Sequence, residues 1–451
     1  MKKTKLLFLL FIFAGSLSAQ TVFYVKRSSD NTAWNGRQNV HTDIQAAIDA
    51  AAAQVGETNA QVWIAKGEYL LSNSLVPKNG VDVIGGFIGT ETAANQYAPV
   101  GKGVNQTILK SGADRVINQT TALTKPAYWS NLVITGGQPT DGSKEGAGAL
   151  LNSGMTLKNS IISGNKGGSG SGAYLKGDAQ LINCLVSHNE GDSSDGGIGV
   201  FCSENSKAVN CTVTANVYYS SYGGPNTLTA GILVKDNALV ANSISWSNIS
   251  VPNHDLVSQI YKGGSGVTIT NCASGHDSDS SIEGMIILST VNDAWNGPMF
   301  VNPSDPKPGF PEFTPEDNYS LQEFSICIDA GDNDLVTEEF DLNGNKRIKK
   351  GSYDAETATV DLGAFEFFDV IGIEKAPVVN PGFYPNPSNG TLYTRIEADC
   401  TVKVLSISGV LVYETSTSSA SPINLSFLPK GCYLLQWQTD NGQGSMPLIL
   451  E

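Results

Sequence analysis

The chain has 451 residues, with 28 Lys and Arg against 43 Asp and Glu, for a formal net charge of −15. Such acidity excludes nucleic acid as a natural partner, while 48 glycines and a charged fraction of only 16% imply many turns and few amphipathic helices. Seven cysteines without a CxxC pair indicate neither a zinc site nor a redox dithiol.

The first element is MKKTKLLFLLFIFAGSLSAQ, whose basic start, apolar core and small residues read as a signal peptide over residues 1–19. No later apolar run approaches the ~20 residues of a membrane span, so no transmembrane segment is expected in the mature chain. Residues 20–130 read as an N-terminal cap and the first strands. DIQAAIDAAAAQV, from Asp43, has Ile44, Ala47, Ile48 and Ala51 on one helical face, with Thr42 as candidate N-cap. It precedes the strand-like runs VWIAKGEYL and VDVIGGFIGTE, where an open solenoid core needs a cover.

Over residues 131–297 the chain repeats. Asn159, Asn183, Asn210, Asn242 and Asn271 recur at intervals of 24, 27, 32 and 29 residues. A second asparagine follows six residues later at Asn165, Asn189, Asn216 and Asn248, with Asp277 in the last copy and a weaker copy starting at Asn131. Gly148, Gly172, Gly197 and Gly231 mark the register upstream, so length variation is confined to one elastic loop per period, as in a solenoid. Three short strands per period are expected, separated by Asn or Gly in left-handed turns. The first asparagine column is expected to hydrogen-bond up the stack as a ladder. The small residues after it, Ser160, Cys184, Cys211, Ser243 and Cys272, predict an inward column in which the cysteines are buried thiols rather than bridges.

These repeats resemble a right-handed parallel β-helix of the pectin lyase-like type, and the opening series FYVKRSSDNTAWNG, DIQAAIDAA, VWIAKGEY and KNGVDVIGGFIGTET is similar to that of exported Bacteroidetes β-helix proteins. Residues 298–370 begin with Pro298, Pro303, Pro306, Pro308, Pro311 and Pro315, which no central strand tolerates. With CIDAGDNDLV, DLNGNKR and VDLGAFEF they resemble the closing region of choice-of-anchor Q β-helix proteins. Residues 371–380 read as a linker. Residues 381–451 resemble the C-terminal sorting domain of the type IX secretion system, through Tyr384, Pro385, Asn386, Pro387, Gly390, Gly409, Leu428, Gly431 and Tyr433. That resemblance implies the type IX machinery as a partner, and export through the periplasm to the cell surface or the medium. The fold class expected is therefore all-β: a β-helix solenoid with an N-terminal capping helix, followed by a small C-terminal β-sandwich module.

Candidate functional residues lie on the elastic loops and the side face. Glu190, Asp192, Asp195, His254 and Asp255 supply carboxylates and an imidazole. Tyr218, Tyr219 and Tyr222, with Trp246 at an outward strand position, offer flat rings for stacking against sugars. The reading they support is binding of a polysaccharide or another surface ligand. A glycoside hydrolase using loop carboxylates, ahead of a lyase, and an adhesive spacer remain as alternatives. No arginine occurs between Arg115 and Arg347, which argues against lyases that abstract a proton with arginine from a polyuronide. His188 stands in a column otherwise filled by Gly164, Ala215 and Ser247. No cofactor motif is present, but Asp332, Asp334, Asp341, Asn343 and Asn345 offer oxygen ligands for a structural calcium ion.

Overall fold

The computed structural model describes residues 21–112, 114–193, 195–219, 229–251, 259–275, 282, 285–289, 292, 297–304, 314, 317–351, 357–368, 383–394, 400–406, 410–417, 421–439 and 442–451. The expected signal peptide and linker, together with Tyr222, His254, Asp255, Asp277 and Gly409, lie outside the described residues. Contacts divide the chain into two units, Met1–Phe368 and Asp369–Glu451.

The first unit is a parallel β-solenoid of about five turns. One rung runs through Ala149–Leu151, Met155–Lys158, Ile161–Ser163 and Lys166–Gly167. Each segment pairs in register with its counterpart in the next rung, as Leu150 does with Tyr174, Leu157 with Leu181, Ile162 with Val186 and Lys166 with Glu190. Among the described residues, stacking gives four parallel sheets, here called first to fourth in that order, of six, ten, nine and four strands. Three strands per period were expected. The extra sheet arises because Gly164, His188, Ala215 and Ser247, at φ 69°, 56°, 55° and 56°, turn the chain through the left-handed region between the third and fourth strands.

Alternation decides what lies inside. Leu157, Leu181, Ala208 and Val240 from the second sheet meet Ile162, Val186 and Val213 from the third and Leu151, Leu175, Cys202 and Val234 from the first in one continuous core. Cys184, Cys211 and Cys272 are buried free thiols within it. The helix Ile44–Ala52 covers the open end by adding Ile44, Ala47, Ile48 and Ala51 to the same core. Its N-cap is Asp43 rather than Thr42: the Asp43 carboxylate accepts from Ala46 N at 2.7 Å.

The two asparagine columns have different jobs. Asn131, Asn159, Asn183, Asn210, Asn242 and Asn271 take φ between 47° and 60° and turn the chain from the second sheet to the third. The ladder expected there runs instead up the second column. Asn165 Nδ2 donates to Asn189 Oδ1 at 2.9 Å, Asn189 to Asn216 at 3.0 Å, Asn216 to Asn248 at 2.8 Å and Asn248 to Gln259 Oε1 at 2.8 Å. In the first column one such link occurs among the described residues, Asn183 Nδ2 to Asn159 Oδ1 at 2.7 Å. Further bonds of this column reach sideways, from Asn183 to Phe340 O and from Asn242 to Asp332 O, and Asn210 Nδ2 is buried without a partner. The register glycines are Gly148, Gly172, Gly199 and Gly231. A Cβ on Gly172 would lie 3.0 Å from the Asn189 amide and one on Gly199 2.9 Å from that of Asn216, so Gly199 takes the place expected for Gly197.

The described residues of 325–351 and 357–368 form a strap along the outside of the third sheet. Phe300, Tyr319, Leu342, Leu362, Ala364 and Phe365 pack on the outward Ile161, Leu185, Ile244 and Trp246. The strap bonds to Asn242 through Asp332 N and Gly363 N, and at its far end Gly101 N donates to Leu342 O. Within it, buried Arg347 lies 3.2 Å from Glu366, among Asp341 and Asp361. Burial pushes the Asp361 carboxyl up to about 6 and raises those of Asp341 and Glu366 as well, against the pull of Arg347.

The second unit is an antiparallel sheet in the order Leu411–Thr417, Cys400–Ser406, Gly431–Thr439, Gly442–Leu450, with a two-stranded sheet, Thr391–Leu392 with Ile423–Asn424. Phe383, Val402, Val404, Leu425, Leu435, Trp437 and Leu448 fill its core.

Candidate functional site

The loop residues expected to form a site are largely engaged elsewhere. Trp246 points away from the solenoid core, as its strand position predicts, but Phe300 covers it at 5.8 Å between centroids and its Nε1 donates to Ser289 O. Tyr218 is buried with Ile198 and Ala230. Glu190 is buried in the fourth sheet, 3.6 Å from Lys166. Tyr219 is half-buried beneath the Lys166 ammonium, while Asp192 and Asp195 are exposed and Asp195 pairs with Lys235 at 3.5 Å. His188 is buried, and burial lowers its affinity for a proton. Asp341, offered as a calcium ligand, instead accepts from the backbone N–H groups of Asn343, Asn345 and Glu366. Asp332 caps a short turn by accepting from Asp334 N. Among the described residues no group of three or more His, Cys, Asp or Glu side chains is placed to hold a metal ion.

A different set of residues converges on the outer side of the second sheet, which the strap leaves open. Pairing aligns Gln61 with Asp82, Tyr128 with Thr156 and Thr156 with Gln180, and Tyr128 N donates to Asp82 Oδ1 at 3.0 Å. A parallel row, two residues on and therefore on the same face, contains Ile84, Ser130, Lys158 and Ile182. Two hollows of about 350 and 290 Å³ adjoin here and share Tyr128, Lys158 and Glu338. The first also takes in Gln61, Asp82 and Tyr97; the second takes in Asp178 and Gln180.

Glu338 is contributed by the strap. Lys158 Nζ lies 2.9 and 3.0 Å from its two carboxylate oxygens and 5.9 Å from the centre of the Tyr128 ring, which is 43% exposed. Burial raises the Asp82 carboxyl despite hydrogen bonds from Asn59 and Tyr128 and the nearby Lys158 charge. Burial also raises the Tyr97 hydroxyl, and the Glu338 charge adds to the shift. The groove thus combines an exposed aromatic face, a rim of amide and carboxyl hydrogen-bonding groups, and one ion pair. A larger hollow of about 500 Å³ beside the capping helix is lined by Arg27, Asp43, Glu68 and Ser74, but its one ring, Tyr69, is buried.

In the second unit the residues expected as a sorting motif hold the last strand. Asn386 Nδ2 donates to Pro447 O at 2.7 Å and Asn386 Oδ1 accepts from Ile449 N at 2.9 Å. Ser388 N donates to Ile449 O, and Glu451 N to Ser388 O. The Tyr384 ring, after which Pro385 and Pro387 flank Asn386, stacks on Tyr393 at 5.8 Å. Gly390, at φ 102°, passes so close to Ser426 that a Cβ would lie 2.7 Å from its Cα. Tyr433 OH donates to Pro429 O, and Gly431 opens the strand that pairs with the C-terminus. The family profile of the secretion system C-terminal sorting domain matches residues 382–451.

The protein is exported to the cell surface or secreted. The sorting domain implies handling by type IX secretion, and among the described residues no helix is long and apolar enough to cross a membrane. A comparison of the whole chain with curated proteins returns no match.

Proposed function

We propose that this exported solenoid binds polysaccharide in the groove on its second sheet. The observation that carries the reading is the exposed Tyr128 ring at the junction of two hollows, flanked by Gln61, Asp82, Lys158, Gln180 and Glu338. Sugar rings present flat C–H faces to an aromatic ring and hydroxyls to amides and carboxylates, and this groove offers both. Successive rungs advance ~4.8 Å, close to the length of one pyranose in a chain, so that one sugar can sit per rung. Asp82, Asp178 and Glu338 outnumber Lys158, which favours a neutral glycan over a polyuronide.

Residues 1–19 serve in this reading as the signal that starts export. The path of the strap, tied to rungs at both of its ends, supports the likeness of residues 298–370 to a choice-of-anchor Q closing region on a pectin lyase-like coil. The test is electrophoresis of the mature chain through gels cast with xylan, mannan, β-glucan or polygalacturonate. Retardation by at least one neutral glycan and not by polygalacturonate is expected; unchanged mobility in every gel would overturn the reading.

A further inference from the structure

We propose that the glycan held in the groove carries free amino groups, protonated to ammonium, as a polymer of glucosamine does; the inference rests on the binding reading above and narrows its ligand. Each of the two hollows that meet at Tyr128 has a carboxyl of its own, Asp82 in one and Asp178 in the other. Among the described residues neither carboxyl is in an ion pair. Asp82 lies one rung before Tyr128 and Asp178 two rungs after it. At ~4.8 Å per rung, a chain laid along the rungs meets a carboxylate on either side of the ring that holds it.

Both carboxyls keep an oxygen for a ligand. The hydrogen bonds to Asp82, from Asn59 Nδ2 at 2.8 Å and Tyr128 N at 3.0 Å, fall on Oδ1 alone. Exposed Asp178 likewise accepts from Gly154 N on Oδ1, at 2.7 Å. The two cations near Asp82 are engaged elsewhere: Lys158 Nζ lies 2.9 and 3.0 Å from the Glu338 oxygens, and Lys125 Nζ donates to the Gly56 and Glu57 carbonyls at 2.8 and 2.9 Å. Burial raises the Asp82 carboxyl in spite of both charges. A ligand ammonium at Oδ2 supplies the charge that the protein withholds, and a charge-assisted bond of this kind is stronger than one from a sugar hydroxyl.

Tyr128 adds a second attraction. Aromatic faces draw cations, and this ring already has the Lys158 ammonium 5.9 Å from its centre while 43% of the residue stays exposed. Lys158 itself repels a ligand cation little, because both Glu338 oxygens neutralise it. The groove therefore separates sugars by one substituent: it attracts an ammonium, is indifferent to a hydroxyl or an acetamide, and repels a carboxylate.

The experiment titrates the mature chain, by calorimetry, with oligomers of equal length and the same β-1,4 linkage made of glucosamine, N-acetylglucosamine or glucose, at a pH where the amine is protonated. Asp82→Asn, Asp178→Asn and Glu323→Gln are titrated alongside, with melting curves to report that each variant is folded. Glu323 is exposed and lines neither hollow, so it measures the general pull of a chain of net charge −15 on any polycation. The expected result is that glucosamine binds about 10-fold tighter than either neutral oligomer. That advantage should shrink as salt is raised, fall several-fold in each Asn variant and persist in Glu323→Gln. Equal affinity for the three oligomers would overturn the amine preference and leave glycan binding standing. An advantage that survives both Asn substitutions, or that Glu323→Gln lowers as much, would overturn its assignment to this groove. Binding of none of the three would overturn the proposal, and the binding reading falls with it only if every neutral glycan in the gels also leaves mobility unchanged.

Discussion

Replacing Asn216 with alanine removes the middle of the interior ladder. The amide donates to Asn248 Oδ1 at 2.8 Å and to the Val186 and Thr214 carbonyls at 3.1 Å, and it accepts from Asn189 N and Asn189 Nδ2, each at 3.0 Å. The site is fully buried. Alanine leaves the Asn189 N–H and at least one acceptor without partners in a dry interior, at about 1–3 kcal/mol for each. A net loss of about 3–5 kcal/mol follows, or roughly 4–7 °C in melting temperature for a unit of this size. Asn210 supplies the control. It sits at φ 53° with its Nδ2 buried and unpartnered, so Asn210→Gly should change stability by no more than about 0.5 kcal/mol. Thermal melting of the mature chain by circular dichroism reads both. Equal effects at the two positions, or a larger one at Asn210, would refute the assignment of separate turn and ladder columns.

Three further outcomes are expected. The raised carboxyls of Asp361, Glu366 and Asp341 bind more protons folded than unfolded, so their contribution is complete below the ordinary carboxylate range and declines as pH rises, for Asp361 through about 6. The solenoid should therefore melt higher at pH 5 than at pH 8, and Asp361→Asn should flatten that difference. Trp246→Ala should cost about 3–5 kcal/mol by emptying the space under Phe300, yet leave glycan retardation unchanged, since the strap covers this ring. Deletion of residues 381–451 should trap the protein in the periplasm, and Asn386→Ala, which frees the final strand, should lower surface and medium levels by cell fractionation; unaltered export would contradict a role for that clamp.

Much of the coil could be read from the chain because its local chemistry repeats. Asparagine at a fixed place in each period marks a left-handed turn, and the small residue after it marks the interior. Which asparagine column forms the ladder could not be read. Both columns share the same spacing, and only the turns at Gly164, His188, Ala215 and Ser247 aim the second one inward. Trp246 shows a different limit: alternation gave its direction, while its cover comes from Phe300, far along the chain. The groove was hidden for the same reason. Asp82 and Tyr128 are 46 residues apart, and Lys158 meets Glu338 across 180. Neither pairing leaves a mark in spacing or composition. The loop tyrosines and acids drew attention because they cluster in sequence, but folding buried Tyr218 and Glu190 and left the open second sheet with the exposed ring.

The central claim is that Tyr128, and not the elastic loops, is the platform for glycan. Its most direct test is the dissociation constant of a retarding neutral oligosaccharide for the parent chain, Tyr128→Ala and Tyr219→Ala, measured by isothermal titration calorimetry. Loss of one stacked ring should weaken binding by about 2 kcal/mol, roughly 30-fold, for Tyr128→Ala. Tyr219→Ala should bind as the parent does. The reverse pattern, or equal affinity in all three proteins, would contradict the account.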